Sequence, residues 1–587
     1  MTGRLVHFMP GWLRPAASCA ALLIATAPAL VQSDAAAQNP VRTLDIGGPP
    51  HDSVARRCYS DSVLTAALAG FNSPTAVNVF GGNARIPAAD TIRAAYAVSG
   101  GSVRVDGTVL GPIIVFNGEV RVSASGVVSG DVIVLGGHLT AAAGARIDGR
   151  RIECDEPVRL ERLPNGMLAS RPPGRDLGHL ASDVAVTVGS VRLAPFVGVG
   201  TYNRVEALPI QLGAKAAWPA SRDDSVHFEG YAVFRTARDP SGSRPAIGWH
   251  LDARWNHAGR LPFTIGLAGG STINSTEDRS YSALESAASA LFLRRDYRDW
   301  YLRRGVGLTA SVRPTADLTV AAGLDDSRQT TVLSVDAFSL LRGTEAWRPN
   351  PLIDDGKYRT LSLGAKWDAR NETSHPVLSW YARAEVRHVT SNDLTPVSLP
   401  TTIRDSLPRT GYGETEANLD LRGYLRLGPA QRIAARLSAA GYLSGDPLTI
   451  QNRRAISGAD PLMGYQFRAI NCDRRRNPDP ATPALCDREM AIQAEYHHAL
   501  AIDLTTRVSG YTVGFRNPDL VLLADAGSAW LAGDSAGRVP TNRIQSLNEW
   551  RSDVGVGLTT RSLGLYLAKS LVDPVGVQLQ LLFNLRF

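Results

Sequence analysis

The residue types that could carry acid–base or metal chemistry are few and scattered in this chain. His497 and His498 are adjacent, but neighbours on a strand point to opposite faces and cannot share a ligand. Glu495 and His497 do share a face, which is common for paired polar residues on the wet side of a strand. The sequence has no Gly-x-Ser-x-Gly, His-Glu-x-x-His or phosphate-loop motif. It therefore predicts a protein that is not an enzyme and that binds neither a metal nor another cofactor.

The cysteines are better candidates for disulfide bonds than for metal ligands. Besides Cys19, which lies in an N-terminal apolar run, the chain has Cys58, Cys154, Cys472 and Cys486. An even number of cysteines in an exported chain suggests disulfides. Their spacing lacks the close pairs that zinc sites use. We predict local pairing, Cys58 with Cys154 and Cys472 with Cys486.

One stretch concentrates aromatic and charged side chains, the sequence Asp-Tyr-Arg-Asp-Trp-Tyr at 296–301. Aromatic residues mark the level at which a membrane protein meets the lipid headgroups. This stretch is therefore predicted to lie in an interfacial girdle, next to a short helix.

The basic residues do not indicate a nucleic-acid partner. The net charge is +7, and it comes from 58 Arg and four Lys against 55 acidic residues. No block of basic residues alternates with aromatics, as nucleic-acid-binding surfaces do.

Residues 1–37 have the form of a signal peptide. Arg4, His7 and Arg14 precede an apolar run at 16–31, and three alanines at 35–37 suit a cleavage site. The run is too short to cross a membrane as a helix. If the exported chain spans a bilayer, it must therefore do so with strands.

The C-terminal two thirds alternate strictly between apolar and polar residues. Small or apolar residues occupy every odd position from 417 to 427, and Asn418, Asp420, Arg422, Tyr424 and Arg426 lie between them. The same alternation follows at 433–443 and at 380–387. Apolar residues facing lipid and charges facing a wet lumen are what a membrane barrel requires.

The last thirteen residues continue this alternation to the end of the chain. Apolar residues fill all odd positions, namely Val575, Val577, Leu579, Leu581, Phe583, Leu585 and Phe587. This pattern resembles the C-terminal β-signal that the outer-membrane insertion machinery recognises. It predicts a final membrane strand over 575–587, with that machinery and outer-membrane lipid as partners.

A glycine-punctuated repeat occupies residues 77–153. Pairs that contain glycine recur at 81–82, 100–101, 117–118 and 136–137, in steps of 19, 17 and 19 residues, each after a short apolar run. Short strands with glycine turns at a fixed period are typical of a parallel β-helix. The segment resembles the bactofilin-like β-helix, as in Asp-Val-Ile-Val-Leu-Gly-Gly at 131–137.

These patterns predict an all-β chain in five parts. They are a signal peptide at 1–37, an N-terminal segment with a short helix at 38–76, a β-helix-like domain at 77–153, a linker at 154–183 and an outer-membrane barrel at 184–587. About 400 residues at roughly 25 per strand and connection give about 16 strands, each spanning 9–11 residues.

Three motifs in the barrel resemble the BamA/TamA-like bacterial surface antigen family. The sequence Tyr-Asn-Arg-Val-Glu-Ala-Leu at 202–208 looks like that family's opening strand. The sequence Gly-Ala-Asp-Pro-Leu-Met-Gly-Tyr at 458–465 is similar to its Arg-Gly-Tyr/Phe loop, which folds into the lumen. The sequence Leu-Ala-Asp-Ala-Gly at 523–527 is similar to its aromatic-x-Asp-x-Gly strand, and 553–558 matches the family's penultimate region.

The resemblance has two departures. In the family the loop arginine meets the strand aspartate, but here the loop reads Leu462, Met463, Gly464, Tyr465 while Asp525 is retained. A buried carboxylate without a cation is costly, so we expect Arg468, or one of the arginines at 474–476, to take the missing role. The N-terminal region has a β-helix where the family carries polypeptide-transport-associated domains, so client capture by such domains is not implied.

The resemblance implies an outer-membrane barrel with a periplasmic N-terminal domain, acting in envelope or membrane-protein assembly or in translocation. Envelope client proteins would then be partners. The alternative is a structural anchor, in which the β-helix binds another copy of itself or the cell wall. A passive channel is a third hypothesis, disfavoured because the inward loop would plug the lumen.

Overall fold

The computed structural model describes most of the chain beyond residue 60. The described residues are 61–154, 158, 160–162, 167–170, 186–221, 223–276, 281–315, 317–342, 344–369, 378–428, 431–472, 482–500, 502–508, 511–516, 518–560, 563–583 and 586. The predicted signal peptide lies outside them, and so does Cys58. No helix in the described ranges is long and apolar enough to cross a membrane.

The N-terminal part is a parallel β-solenoid, as the repeat predicted. Its elements are helix α1 (Asp61–Phe71) and strands β1 (Val77–Ile86), β2 (Thr91–Ile92), β3 (Tyr96–Val105), β4 (Thr108–Val109), β5 (Ile113–Phe116), β6 (Glu119–Val122), β7 (Val127–Val128), β8 (Val132–Leu135), β9 (Leu139–Ala141), β10 (Arg146–Ile147) and β11 (Arg151–Cys154). A small hairpin follows, β12 (Leu160–Arg162) and β13 (Leu168–Ser170).

The coils stack in the steps that the glycine pairs predicted. Ile113 lies beside Val132 in the next coil, and Val132 lies beside Arg151. Two of the predicted turns are instead inside strands, because the pairs at 81–82 and 100–101 lie within β1 and β3. A positive φ of 69° at Gly100 bends β3 without ending it.

The inside of the solenoid is a narrow column of valine and isoleucine, and α1 covers one outer side. Leu64, Ala67 and Phe71 are buried at helical spacing. They contact apolar residues that point outward from β5 and β8, including Phe116, whose ring centre is 5.7 Å from that of Phe71. Helix α1 therefore stabilises the side of the solenoid and not the end of its first coil.

On another side of the solenoid, an ion-paired aspartate links adjacent coils. Asp106 accepts hydrogen bonds from Arg85 at 2.7 Å and from Arg104 at 2.9 Å. These two guanidiniums lower the pKa of the Asp106 carboxyl to about 2. The carboxylate therefore stays charged, and the bridge between coils stays formed, over the neutral range.

The C-terminal part is one long antiparallel sheet. Its strands are β14 (Val186–Val188), β15 (Val191–Val199), β16 (Pro209–Pro219), β17 (Asp224–Arg235), β18 (Ile247–His257), β19 (Phe263–Ser275), β20 (Trp300–Val312), β21 (Leu318–Thr331), β22 (Asp355–Asp368), β23 (Leu378–Thr395), β24 (Tyr412–Gly428), β25 (Gln431–Gly445), β26 (Arg488–Ala499), β29 (Asp519–Trp530), β30 (Arg551–Thr559), β31 (Gly564–Ser570) and β32 (Gln578–Leu582). A separate hairpin, β27 (Asp503–Val508) and β28 (Tyr511–Arg516), connects β26 to β29.

Apart from the three-residue β14, sixteen strands form this barrel-like sheet, so the predicted all-β fold with about 16 strands is confirmed. Each strand is antiparallel to its neighbour, and leucine and tryptophan side chains are exposed on the outer face. Inward-facing positions carry many charges, including Asp325, Glu385 and Arg387. The faces therefore alternate as the sequence predicted.

The two ends of the barrel differ in the length of their connections. One end, called here the long-loop end, has connections such as 276–299, which contains helix α2 (Ala283–Leu293), and 446–487, which contains the short 3-10 helix η1 (Ile450–Asn452). A second 3-10 helix, η2 (Leu547–Glu549), lies in 531–550 at the same end. The opposite, short-turn end has connections such as 220–223 and 560–563. This asymmetry is typical of outer-membrane barrels.

Two predicted strands are wrong. Residues 202–208 are not an opening strand but the loop between β15 and β16, because Arg204 is held by Asp296, Asp299 and Asn350. The final strand ends at Leu582 and does not run to residue 587. The strand ends early because Arg586, beyond it, binds residues inside the barrel.

Candidate functional site

The long loop at 446–487 folds into the barrel. Met463 is fully buried against Val521 and Leu523 of β29 and Tyr566 of β31, all on the lumen side. Leu462 is also fully buried and has a positive φ of 64°. The loop therefore lies within the lumen and contacts the strands near the end of the chain.

The Gly-Tyr pair of the loop fixes it to two strands. The Gly464 N–H donates to Asp553 of β30 at 2.5 Å. The Tyr465 hydroxyl accepts from Ser570 of β31 at 2.7 Å and donates to the Ser552 carbonyl at 3.3 Å. A β-carbon on Gly464 would lie 2.7 Å from atoms of both strands, so glycine is what permits this approach.

Asp525 is paired with an arginine, but not with Arg468. Arg586 donates to Asp525 at 2.5 Å and to Glu495 of β26 at 3.0 Å, with all three side chains buried. Arg586 also lies 4.0 Å from Asp460 of the loop, which links the loop to this pair. The expectation that Arg468 replaces the missing loop cation is therefore wrong.

The pairing of Arg586 explains why the last strand is short. Glu495 and Asp525 are on β26 and β29, several strands away from β32. Reaching them draws the chain inward after Leu582. The Phe583 N–H then donates at 2.8 Å to Glu285, in the first turn of α2. Tyr281, just before α2, contacts Gln580 at 3.3 Å. Of the seven predicted β-signal residues, Leu585 and Phe587 lie outside the described residues.

Arg468 belongs to a second buried cluster, near the long-loop end. It donates to Asp299 at 2.7 Å, and Arg204 and Arg348 also bind Asp299. Burial alone would raise the pKa of Asp299, but these guanidiniums outweigh it and hold that pKa well below the usual range. The cluster joins three connections and the lumen loop into one unit.

The same cluster corrects the prediction for residues 296–301. Asp296, Asp299, Trp300 and Tyr301 are buried and do not form an interfacial girdle. The Trp300 indole N–H donates to Asp296 at 2.8 Å. The aromatic and charged residues are close in sequence because they build a buried network, not because they face lipid.

The remaining candidates of the sequence have plain structural roles. Cys472 and Cys486 form a disulfide that closes part of the lumen loop. Cys154 is disulfide-bonded too, and its predicted pairing with Cys58 stays a prediction because Cys58 is not described. His497 contacts Glu495 at 2.8 Å on the lumen face. No group of three metal-ligating side chains occurs in the part of the chain that the structure describes.

The outer face of the barrel has an apolar band with an aromatic edge. Leu308, Leu324 and Leu361 lie side by side on β20, β21 and β22 and are exposed. Near the short-turn end, exposed tryptophans border this band; they are Trp218, Trp255, Trp367 and Trp380. An apolar band bordered by aromatics is what a barrel in lipid presents.

Sequence reasoning missed the two arginines that organise the interior. Arg586 is the only charged residue in the last thirteen. A lone cation in this segment was a usable signal, although the residue lies beyond the end of β32 at Leu582. Arg204 gave no such signal, because its partners are about a hundred positions away in sequence.

Comparison with solved structures finds matches to BamA and to CdiB. The chain is similar to BamA from Haemophilus ducreyi lacking POTRA domains 1–3, with TM-score 0.39 and 13% identity over 69% of this chain and 74% of that one. It is also similar to CdiB from Acinetobacter baumannii, with TM-score 0.30 and 11% identity over 67% and 59% of the two chains. CdiB from Escherichia coli gives TM-score 0.31 and 11% identity over 73% and 67%.

A BamA structure is thus among the matches. At these identities the likeness concerns the fold alone. No protein-family model matches the chain, and no curated protein matches it significantly.

Proposed function

We propose that this chain is an outer-membrane barrel that handles other polypeptides, in membrane-protein assembly or in secretion, without enzymatic activity. The β-solenoid would lie in the periplasm, because the hairpin of β14 and β15 that opens the barrel sheet turns at the short-turn end. The insertion machinery would place the chain through its C-terminal β-signal. The apolar band with its tryptophan edge supports a position in lipid.

One observation carries the proposal: the last strand of the barrel wall, β32, has an open edge, called here the seam. Among the described residues, β32 pairs with β31 and with no strand on its other side. Strand β32 has five residues, whereas β23 and β24 have 18 and 17. Edge strands with free N–H and C=O groups accept an added strand. An extended client segment would find such an edge within the membrane.

A second observation argues against an open channel. The lumen loop, Arg586 and the inward charges occupy the interior, and the charges pair with one another. Arg436, for example, binds Asp420 at 2.9 Å and the loop residue Asp460 at 2.9 Å. A plugged lumen suits transfer along the wall better than diffusion through the centre.

Site-specific photocrosslinking in living cells tests the seam. A photoreactive amino acid at Leu581 of β32 should form adducts with other polypeptides, because this residue is on the edge strand. The matched control is Leu361 of β22, which is also an exposed outward leucine but has a paired strand on either side. The control should give no polypeptide adducts above background.

Two results would contradict the proposal. One is equal polypeptide crosslinking from Leu581 and Leu361. The other is a depletion experiment in which no outer-membrane or secreted protein falls in abundance. Proteins that do fall, and that also crosslink at Leu581, would identify the clients.

The anchor hypothesis keeps one observation in its favour. The core residues of the last solenoid coil, Leu139, Ala145 and Ile147, are only partly buried. A coil end of this kind can receive another copy. The resemblance to bactofilin-like β-helices points the same way and stays a proposal.

A further inference from the structure

The outer surface of the barrel carries a row of cations that the interior does not explain. Arg304 on β20 pairs in register with Arg328 on β21, and Arg328 pairs with Lys357 on β22. All three side chains are exposed. Like charges directly opposite each other across strands destabilise a sheet. Such a row is stabilised by carboxylates of the chain or by an anionic partner outside it.

The cation row lies at one surface of the expected membrane. Lys357 and Trp367, of the tryptophan edge, are ten positions apart on β22. Ten residues extend about 33 Å along a strand, which at a tilt of about 40° is about 25 Å across the bilayer, the height of the apolar band in such barrels. Since Trp367 marks the interface at the short-turn end, the row marks the interface at the long-loop end.

Neighbouring carboxylates neutralise the row only in part. Asp326 binds Lys357 at 3.1 Å and Arg359 at 3.0 Å. The other two carboxylates nearby are Asp393, which binds Arg328, and Asp355, which accepts from Thr331 at 2.7 Å. Four cations against three carboxylates leave a net charge of +1. Arg304 forms no ion pair with any described residue.

The geometry of the row favours a headgroup with more than one phosphate. Neighbouring strands are about 4.8 Å apart, so three strands spread the cations over about 10 Å. One phosphate cannot contact both ends of that span. Guanidinium groups bind phosphate oxygens in pairs. Leu308, Leu324 and Leu361 lie four positions further along the same strands, where acyl chains below such a headgroup would be.

We propose that the cation row binds a phosphorylated glycolipid of the outer leaflet, of the lipid A type. Two phosphates of the headgroup contact the three cations, and the acyl chains lie on the leucine row below. The long-loop end of an outer-membrane barrel faces the outer leaflet. The inference rests on the outer-membrane position under the proposed function, but not on any client or on the seam.

Lipid binding by the full chain in nanodiscs provides the test. The discs contain phosphatidylcholine with a small fraction of lipid A, dephosphorylated lipid A or phosphatidylglycerol, and bound lipid is counted by native mass spectrometry. The triple variant Arg304→Gln/Arg328→Gln/Lys357→Gln should bind lipid A about tenfold more weakly, as the loss of three charge contacts implies. The control is Arg192→Gln/Arg260→Gln/Lys569→Gln, which removes three exposed cations elsewhere and should bind as the parent does.

A smaller variant guards against loss of folding. Arg304→Gln breaks no ion pair within the described residues and should still lower lipid A occupancy. Unchanged occupancy in Arg304→Gln, or an equal loss in the control, overturns the proposal. So does equal binding of dephosphorylated lipid A, and binding of phosphatidylglycerol at equal strength identifies a general anionic lipid instead. Failure of the parent chain to enter the discs would contradict the outer-membrane proposal itself.

Discussion

At the residue scale, Arg586 holds the C-terminal end of the chain inside the lumen. Its guanidinium is fully buried and bound to Asp525 and Glu495, and the loop residue Asp460 is close by. A buried carboxylate needs such a cation. The retained Asp525 therefore has a partner although the loop carries Met463 where the resembled family has arginine.

Replacing Arg586 should loosen the barrel. In Arg586→Gln, two buried carboxylates lose their cation, which typically costs about 3–5 kcal/mol. We expect a lower unfolding midpoint in heat-modifiability gels of refolded protein, and a higher single-channel conductance because the end of the chain leaves the lumen. The control Lys569→Gln removes one exposed cation nearby and should behave as the parent does.

A double variant distinguishes loss of the Arg586 ion pairs from general damage near the C-terminus. Adding Asp525→Asn to Arg586→Gln removes one of the unpaired charges, so it should recover part of the lost stability. Two results would argue against a stabilising role of the Arg586 ion pairs. One is a double variant whose loss of stability equals the sum of the losses in the two single variants, and the other is an unchanged unfolding midpoint in Arg586→Gln.

How far the sequence predicted these residues depends on how local their signal is. Strand alternation correctly put Glu495 and His497 on one face, because the period of two is a property of the strand itself. The ion-pair partner of a residue, in contrast, does not follow from the strand period. Arg468 is nearer to Asp525 in sequence than Arg204 is to Asp299, yet Arg468 pairs with Asp299, 169 positions away. Only the folded lumen brings those two together.

At the element scale, the lumen loop and the last strands depend on each other. The loop is fixed through Gly464 and Tyr465 to β30 and β31, while α2 caps the end of β32 through Glu285. The sequence predicted the inward loop from its resemblance. It did not predict the short β32, because an alternating pattern cannot show that the chain leaves the sheet.

Replacing Gly464 by alanine should release the loop from the wall. The new β-carbon would lie 2.7 Å from the Asp553 side chain and from the backbone of β31, so the loop must move. We expect faster protease cleavage between Cys472 and Cys486 after reduction, and a larger conductance. Gly423→Ala on β24 is the matched control, since its β-carbon would meet nothing within 4 Å. Equal protease sensitivity of Gly464→Ala and the parent would mean that the loop is held by other contacts.

At the scale of the whole molecule, two kinds of β-structure serve two different surroundings. The solenoid buries its valine column by stacking coils, so its apolar residues point inward. The barrel reverses this arrangement, with leucines outside and ion pairs inside. The periodicities of 19 and of two residues showed both folds in the sequence. The seam and the filled lumen depend on contacts between distant segments.

The oligomeric state of the full chain distinguishes the assembly and anchor hypotheses. Helix α1 leaves the coil ends uncovered, which would allow two solenoids to stack. We nevertheless expect a monomer, because each solenoid is tied to a barrel and coils can stack only where the two barrels permit it. Sedimentation velocity of the detergent-solubilised chain should give one species that does not change with concentration. If larger species form, Ile147→Asp in the last coil should abolish them, whereas Leu110→Asp, an exposed leucine in a middle coil, should not. Concentration-dependent oligomers with that pattern would replace assembly by anchoring as the function of the N-terminal part.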